Sequence, residues 1–199
     1  SENERATLPS CEGKTFTVDP VQLSFVTSIT PTGSMHASGV PDYAVIKVVG
    51  SGELNKYDLV APGDVYITHI VQETGVSADS DDATIYFALC KDVIGYVTHV
   101  KELSPSIYKM VTDSVCFGKP HVGANACLIQ KLELISRGSL LGRVGRIEGS
   151  FGFGVIDLRK ERGLSNASQY AVKTNFAACP LAYLANSTGF YDKLVNPND

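Results

Sequence analysis

Residues 168–199 read SQYAVKTNFAACPLAYLANSTGFYDKLVNPND, and whether they are helical decides the fold. Val172, Phe176, Cys179 and Tyr183 fall at i, i+4, i+7 and i+11, one face of a 3.6-residue period. Ser165 or Asn166 is a natural N-cap, with a side-chain oxygen to accept an end amide. Pro180 has no amide hydrogen, so a kink or a break into two helices is expected there. Phe190 and Leu194 form an i, i+4 pair in the second piece, from 187 to 195. The expectation is a single domain over 1–199: an arm at 1–13, a mainly β region at 14–158, and a helical segment at 165–195.

The composition agrees with a β-rich chain. The 199 residues suffice for one sizeable core. Hydrophobic residues at 44% and charged ones at 19% are globular proportions. Eighteen glycines and nine prolines imply many turns. A net charge of −4 gives no global field for nucleic acid, so RNA contact needs a local basic patch. No apolar run approaches the ~20 residues of a membrane span. The N-terminal SENERATLPS lacks an apolar signal core. It fits a mature end after methionine removal, or an end left by signal cleavage.

The cysteines at 11, 90, 116, 127 and 179 are odd in number and lack CxxC spacing. They read as buried free thiols of a reducing compartment, with an intermolecular bridge as the other option. Asn166-Ala-Ser and Asn186-Ser-Thr match the glycosylation sequon, a match common by chance.

Before the terminal segment the chain reads mostly as strand. TFTVDPVQLSFVTSI (15–29) reads as a hairpin or a bulged strand around Asp19-Pro20. DYAVIKVVG (42–50) is a β-branched strand. VYITHIVQET (65–74) alternates as a strand with one wet face. TIYFALCKDVIGYVTHV (84–100) is an extended run with a break at Lys91-Asp92 or Gly95. KELSPSIYKMVTDSV (101–115) fits a short helix or an excursion, and ACLIQKLELIS (126–136) fits a strand or a short helix. LLGRVGRIEGSFGFGVIDL (140–158) reads as one long glycine-spaced strand.

No catalytic, metal or cofactor chemistry is expected. The histidines at 36, 69, 99 and 121 have no ligand spacing, and those at 69 and 99 read as hydrogen-bonded or surface residues within strands. GSFGFG (149–154) runs on into strand, so it is no phosphate cradle. The basic residues Lys47, Lys131, Arg143 and Arg146 interrupt apolar strands. They read as solvent-facing, or as one face of a sheet able to hold phosphates and unpaired bases.

A strand SFGFGVIDL, a charged turn RKERG and a proline-kinked helix ending YDKLVNPND follow in that order. This resembles the C-terminal end of single-stranded RNA bacteriophage (levivirus) coat proteins. The matching positions are Glu161 and Arg162, then Lys173 with Phe176, Ala177 and Ala178, then Pro180, Leu194 and Asn196-Pro197. TPTGSMHASGVPDYAVIKVV (30–49) is similar to the family's loop into an early sheet strand. The resemblance implies an α+β fold with an N-terminal hairpin, an antiparallel β-sheet and two C-terminal helices, in a coat-like homodimer. Each subunit's helices would lie across the partner's sheet, with Val172, Phe176, Cys179 and Tyr183 in the dimer interface. Dimers would assemble in the bacterial host cytoplasm into an icosahedral virion that packages single-stranded RNA and binds an RNA hairpin. On strand position and residue type, Lys47, Lys131, Arg143 and Arg146 are the expected phosphate contacts and Thr68 a base-pocket hydroxyl. The chain is longer than the family's usual coat protein, and more acidic than an RNA-packaging shell.

Three other readings stand beside this one. The chain fits a different β-rich viral shell, such as a jelly roll. It fits a secreted β-rich ligand-binding protein or hydrolase, for which an Asp/His/Ser cluster in one cleft would speak. It also fits a subunit of a larger cellular complex.

Overall fold

The computed structural model of the chain describes residues 7–13, 15–33, 41–50, 56–73, 82–113, 115–119, 124–128, 132–145, 149–163, 172–185 and 187–195. For 115–119, 124–128, Glu73 and Val172 the description covers the backbone.

Twelve strands follow in chain order: β1 (Val26–Thr30), β2 (Ala44–Val48), β3 (Tyr57–Val60), β4 (Val65–Glu73), β5 (Asp82–Cys90), β6 (Val93–Val100), β7 (Val115–Lys119), β8 (Ala124–Leu128), β9 (Leu134–Ile135), β10 (Leu140–Val144), β11 (Ser150–Asp157) and β12 (Ala177–Ala178). Ten form one sheet, in the order β1-β2-β11-β6-β5-β4-β8-β7, with β12 beside β11 and β9 beside β4. β3 and β10 make a second, two-stranded sheet. Every strand pairing in both sheets is antiparallel.

Alternation builds the sheet's inner face. In β2, Ala44, Ile46 and Val48 are buried while Lys47 is exposed. β5 sends in Ala83, Ile85, Phe87 and Leu89, and β11 sends in Phe151, Phe153 and Val155. Against this face pack Phe16 and Val21 of the N-terminal segment, Leu59, Leu141 and Val144 of the small sheet, and Ile107. Ile107 belongs to helix α1 (Pro105–Thr112), which Ser104 caps by accepting the Ile107 amide at 3.4 Å. Pro105 sits at the helix start, where a missing amide hydrogen costs nothing. The 101–115 segment therefore resolves towards helix.

The terminal segment corrects the sequence reading. Among the described residues of 165–195, in place of two helices there are two four-residue turns of helix, α2 (Val172–Asn175) and α3 (Thr188–Tyr191). Between them lie β12 and a 3₁₀ turn, Pro180–Tyr183. The physical reason is the edge of β11. β2 pairs with its first half only, at Ser150–Phe153. Ala177 and Ala178 take the second half, opposite Ile156 and Val155. Asp157 donates its amide to the Phe176 carbonyl at 2.9 Å. Covering an open strand edge outweighs a helix that Pro180 would break in any case. The molecule is thus mostly antiparallel sheet with a few short helices. The coat-like α+β dimer, which rested on the helix pair, is withdrawn. The expected N-cap at Ser165 or Asn166 lies outside the described residues.

The described residues 15–29 form no hairpin either. Within 15–29 stand a parallel bridge from Phe16 to Leu184, a 3₁₀ turn at Leu23–Phe25, and the start of β1. β1 pairs instead with β2. The long strand expected over 140–158 divides between the two sheets as β10 and β11.

Two of the cysteines depart from the free-thiol expectation. Cys11 and Cys90 are joined by a disulfide within the chain, 79 positions apart. It ties the N-terminal segment to the end of β5. Cys179 is free and exposed.

Candidate functional site

Two short runs define the sheet's other face. Ile67-Thr68-His69-Ile70 lies in β4 and Val97-Thr98-His99-Val100 in β6, on either side of β5. In each run the outer two residues are fully buried in the core. They are three apart, whereas strand alternation sends positions i and i+3 to opposite faces. One extra residue must be absorbed, and the pairing with β5 slips at both places. β4 slips between Ile67 and His69, and β6 between Val97 and Val100. Such bulges re-aim side chains. Here each delivers a Thr–His pair to the face away from the core.

A row of rings crosses that face. The His69 ring stacks on Tyr86 with centroids 4.0 Å apart and planes 12° apart. Tyr86 stacks on Tyr96 at 5.2 Å and 25°. Tyr96 stands opposite Gly154 of β11, where an added Cβ would lie 2.2 Å from the Tyr96 ring. The glycine is what lets the ring lie down there. Tyr43 meets Tyr96 edge-on, with centroids 6.4 Å apart.

Charged groups close one end of the row. The Tyr96 hydroxyl donates to Asp42 Oδ1 at 2.7 Å, with the Asp42 carbonyl at 3.1 Å. Lys173 of α2 reaches Asp42 Oδ2 at 3.3 Å and lies 4.9 Å from the Tyr96 ring centroid. Further along β6, His99 Nδ1 is 2.8 Å from Asp82 Oδ2. Asp82 Oδ1 is buried and finds no hydrogen-bond partner among the described residues. The His99 backbone has φ of 59°, the left-handed region that non-glycine residues occupy at a cost.

The electrostatics leave the middle of the row uncharged. Burial pushes His69 down to about 4, so its imidazole is neutral at ordinary pH. The Thr68 hydroxyl donates to the Tyr86 carbonyl at 3.3 Å and lies 3.2 Å from His69 Nδ1. With its proton used on the carbonyl, Thr68 can only accept from His69. That puts the imidazole hydrogen on Nδ1 and leaves Nε2 an acceptor. Burial, then the Asp42 charge, pushes the Tyr86 phenol up. Burial and the hydrogen bond to Asp42 do the same for Tyr96. Thr84 and Thr98 complete the face, and Thr98 accepts the Gly152 amide at 2.9 Å. Among the described residues no three His, Cys, Asp or Glu side chains converge as a metal site would require.

Of the residues expected to touch RNA, the described ones are Lys47, Thr68 and Arg143. Lys47 is exposed on β2, and Thr68 lies in the β4 bulge. Four strand spacings separate them, roughly 19 Å. Arg143 is on the small sheet, held by Asp58 at 3.2 Å and Glu102 at 3.0 Å. Lys131 and Arg146 lie outside the described residues. Of the four residues expected at a dimer interface, three have described side chains. Phe176 is half-buried, Cys179 is exposed, and Tyr183 is buried, donating to Asp157 Oδ2 at 2.5 Å. For Val172 only the backbone is described.

Sequence reasoning missed Asp42, Asp82, Tyr86 and Tyr96, and took His69 and His99 for ordinary strand residues. A signal was present: a Thr–His pair between apolar residues three apart, twice. That spacing fits neither side of a regular strand.

No family model matches the chain, and no curated protein matches it. Among solved structures it is similar to Helicobacter pylori Csd3, at 12% identity and a TM-score of 0.47. The likeness covers 87% of this chain and 34% of that one, so the chain spans about a third of the length of its neighbour. A likeness of that degree assigns neither a fold family nor a role to any residue.

Proposed function

We propose that the protein is a disulfide-stabilised ligand-binding domain of an oxidising compartment, and that the open sheet face is its site. The observation that carries this reading is the row His69–Tyr86–Tyr96, flanked by the Thr–His bulges. The rings stack at about the spacing of neighbouring strands; Tyr96 lies over Gly154 and is fully buried, while His69 and Tyr86 are half-buried. The groups this face offers are the Tyr86 phenol and the His69 imidazole, since the Tyr96 hydroxyl is bound to Asp42. Neutral donors and acceptors beside the threonine hydroxyls suit an uncharged ligand rich in hydroxyl or amide groups. The Cys11–Cys90 bond supports an oxidising compartment, since cytosolic thiols are kept reduced.

The test is calorimetric titration with two probes, a neutral oligosaccharide and an uncharged, serine-rich peptide. The expected result is binding of one of them, weakened roughly tenfold in the Thr84→Val/Tyr86→Phe variant. That variant removes two hydroxyls and keeps the shape of the face. Equal affinity for the variant and the parent chain would remove the face from consideration. Which probe binds separates a glycan from a polypeptide.

A further inference from the structure

A cavity lies away from the sheet face, between the N-terminal segment and the small sheet. Its volume is about 690 Å³, and its lining includes Asp19, Phe25, Lys56, Tyr57, Asp58 and Arg143. Cavities of several hundred Å³ accommodate small organic ligands.

Its charges can be assigned one by one. Arg143 binds Asp58 and Glu102. Lys56 also binds Glu102. Two cations thus meet two carboxylates, and neither cation pairs with Asp19. Burial, with no opposing charge, pushes the Asp19 carboxyl up. Beside it stands an aromatic wall. Phe25 and Tyr57 pack at 4.6 Å between centroids with planes 39° apart, and Phe25 is 37% exposed. Tyr57 is fixed by donating its hydroxyl to the Val49 carbonyl at 2.5 Å. A carboxylate with no counter-ion among the described residues, next to aromatic faces, attracts an organic cation, through charge on one side and the ring quadrupole on the other.

We infer that this cleft binds an organic ammonium group carried on an apolar body, with Asp19 as counter-ion and Phe25 and Tyr57 as the stacking wall. Arg143 is a structural cation here, occupied by Asp58 and Glu102, and is not an anion receptor. The site is separate from the sheet face, so it stands or falls independently of the reading above.

The experiment uses the full chain and three probes of one shape at neutral pH: phenethylammonium, 2-phenylethanol and phenylacetate. Affinities are read by ligand-observed NMR, and the location by backbone amide shifts at Phe25, Tyr57 and Asp58. Phenethylammonium is expected to bind roughly fivefold or more tightly than the alcohol. Asp19→Asn should abolish that preference and leave the amide spectrum otherwise that of a folded chain. Phe25→Ala should weaken both the ammonium and the alcohol. Preference for phenylacetate would overturn the inference, because it would make Arg143 the recognising group. So would an unchanged affinity in Asp19→Asn, or no binding of phenethylammonium.

Discussion

At the scale of single residues, His69 and Gly154 are the most informative. A neutral His69 makes a signed prediction. Its folded value of about 4 lies below the ordinary 6.5. The unfolded chain therefore takes up a proton that the folded chain refuses. The resulting stability is complete above about pH 6.5 and is lost as pH falls to about 4. The loss is on the order of 3 kcal/mol, and thermal melts in His69→Gln should lack that acid slope. A His69 ring titrating near 6.5 by NMR would contradict the burial that lowers its value. Gly154→Ala should cost roughly 1–3 kcal/mol, because the new Cβ would overlap the Tyr96 ring. The same change at Gly138, where nothing lies within 4 Å, meets no contact, although its φ of 77° disfavours a side chain.

At the scale of elements, sheet interior and chain end were not equally legible. Strands at 42–50 and 65–74, and a break at Lys91-Asp92, correspond to β2, β4 and the β5–β6 turn. Each strand has β-branched residues in local alternation, so neighbours along the chain carry the signal. The terminal segment does not work that way. Its helical spacing is real, but its conformation is decided by the vacant half of the β11 edge, formed by residues more than twenty positions earlier. The bulges were half legible: the repeated Thr–His spacing is in the sequence, while its meaning depends on β5 lying between the two runs. Asp82 and Asp42 gave no local signal, because their partners are distant in the chain.

The terminal segment also carries a prediction of its own. Asp157 is fully buried, and burial alone would raise its carboxyl. Its bonds to Arg159 and Tyr183 outweigh that and hold it at about 2. A depressed carboxylate stabilises the fold above its unfolded value of 3.8 and ceases to do so as pH falls towards 2. Asp157→Asn should flatten that acid limb. It should also raise hydrogen exchange at the Ala177 and Ala178 amides, since Tyr183 loses the carboxylate that holds it. Unchanged exchange there would mean that β12 is held by its strand pairing alone.

At the scale of the whole molecule, the Cys11–Cys90 bond closes a loop holding β1 to β5. Chain-entropy arguments give a closure of this length roughly 4 kcal/mol. The Cys11→Ser/Cys90→Ser variant should melt markedly lower, and a non-reduced peptide map of the parent chain should contain the linked pair. Two free thiols at these positions in oxidatively produced protein would remove the main argument for an oxidising compartment. The open-face reading also needs no shell. The chain expressed in bacteria should therefore run as a small species with the absorbance ratio of protein alone. Uniform round particles absorbing strongly at 260 nm would instead favour a coat protein.

The central claim is that ligand meets the protein on the face built by the two Thr–His bulges. The most direct measurement is amide and histidine-ring chemical-shift mapping of the full chain, titrated with whichever neutral probe binds. The account predicts shifts clustered at Thr68, His69, Thr84, Tyr86, Thr98 and His99, with the core side of β5 unmoved. Shifts confined to the small sheet, or spread evenly over the molecule, would contradict it.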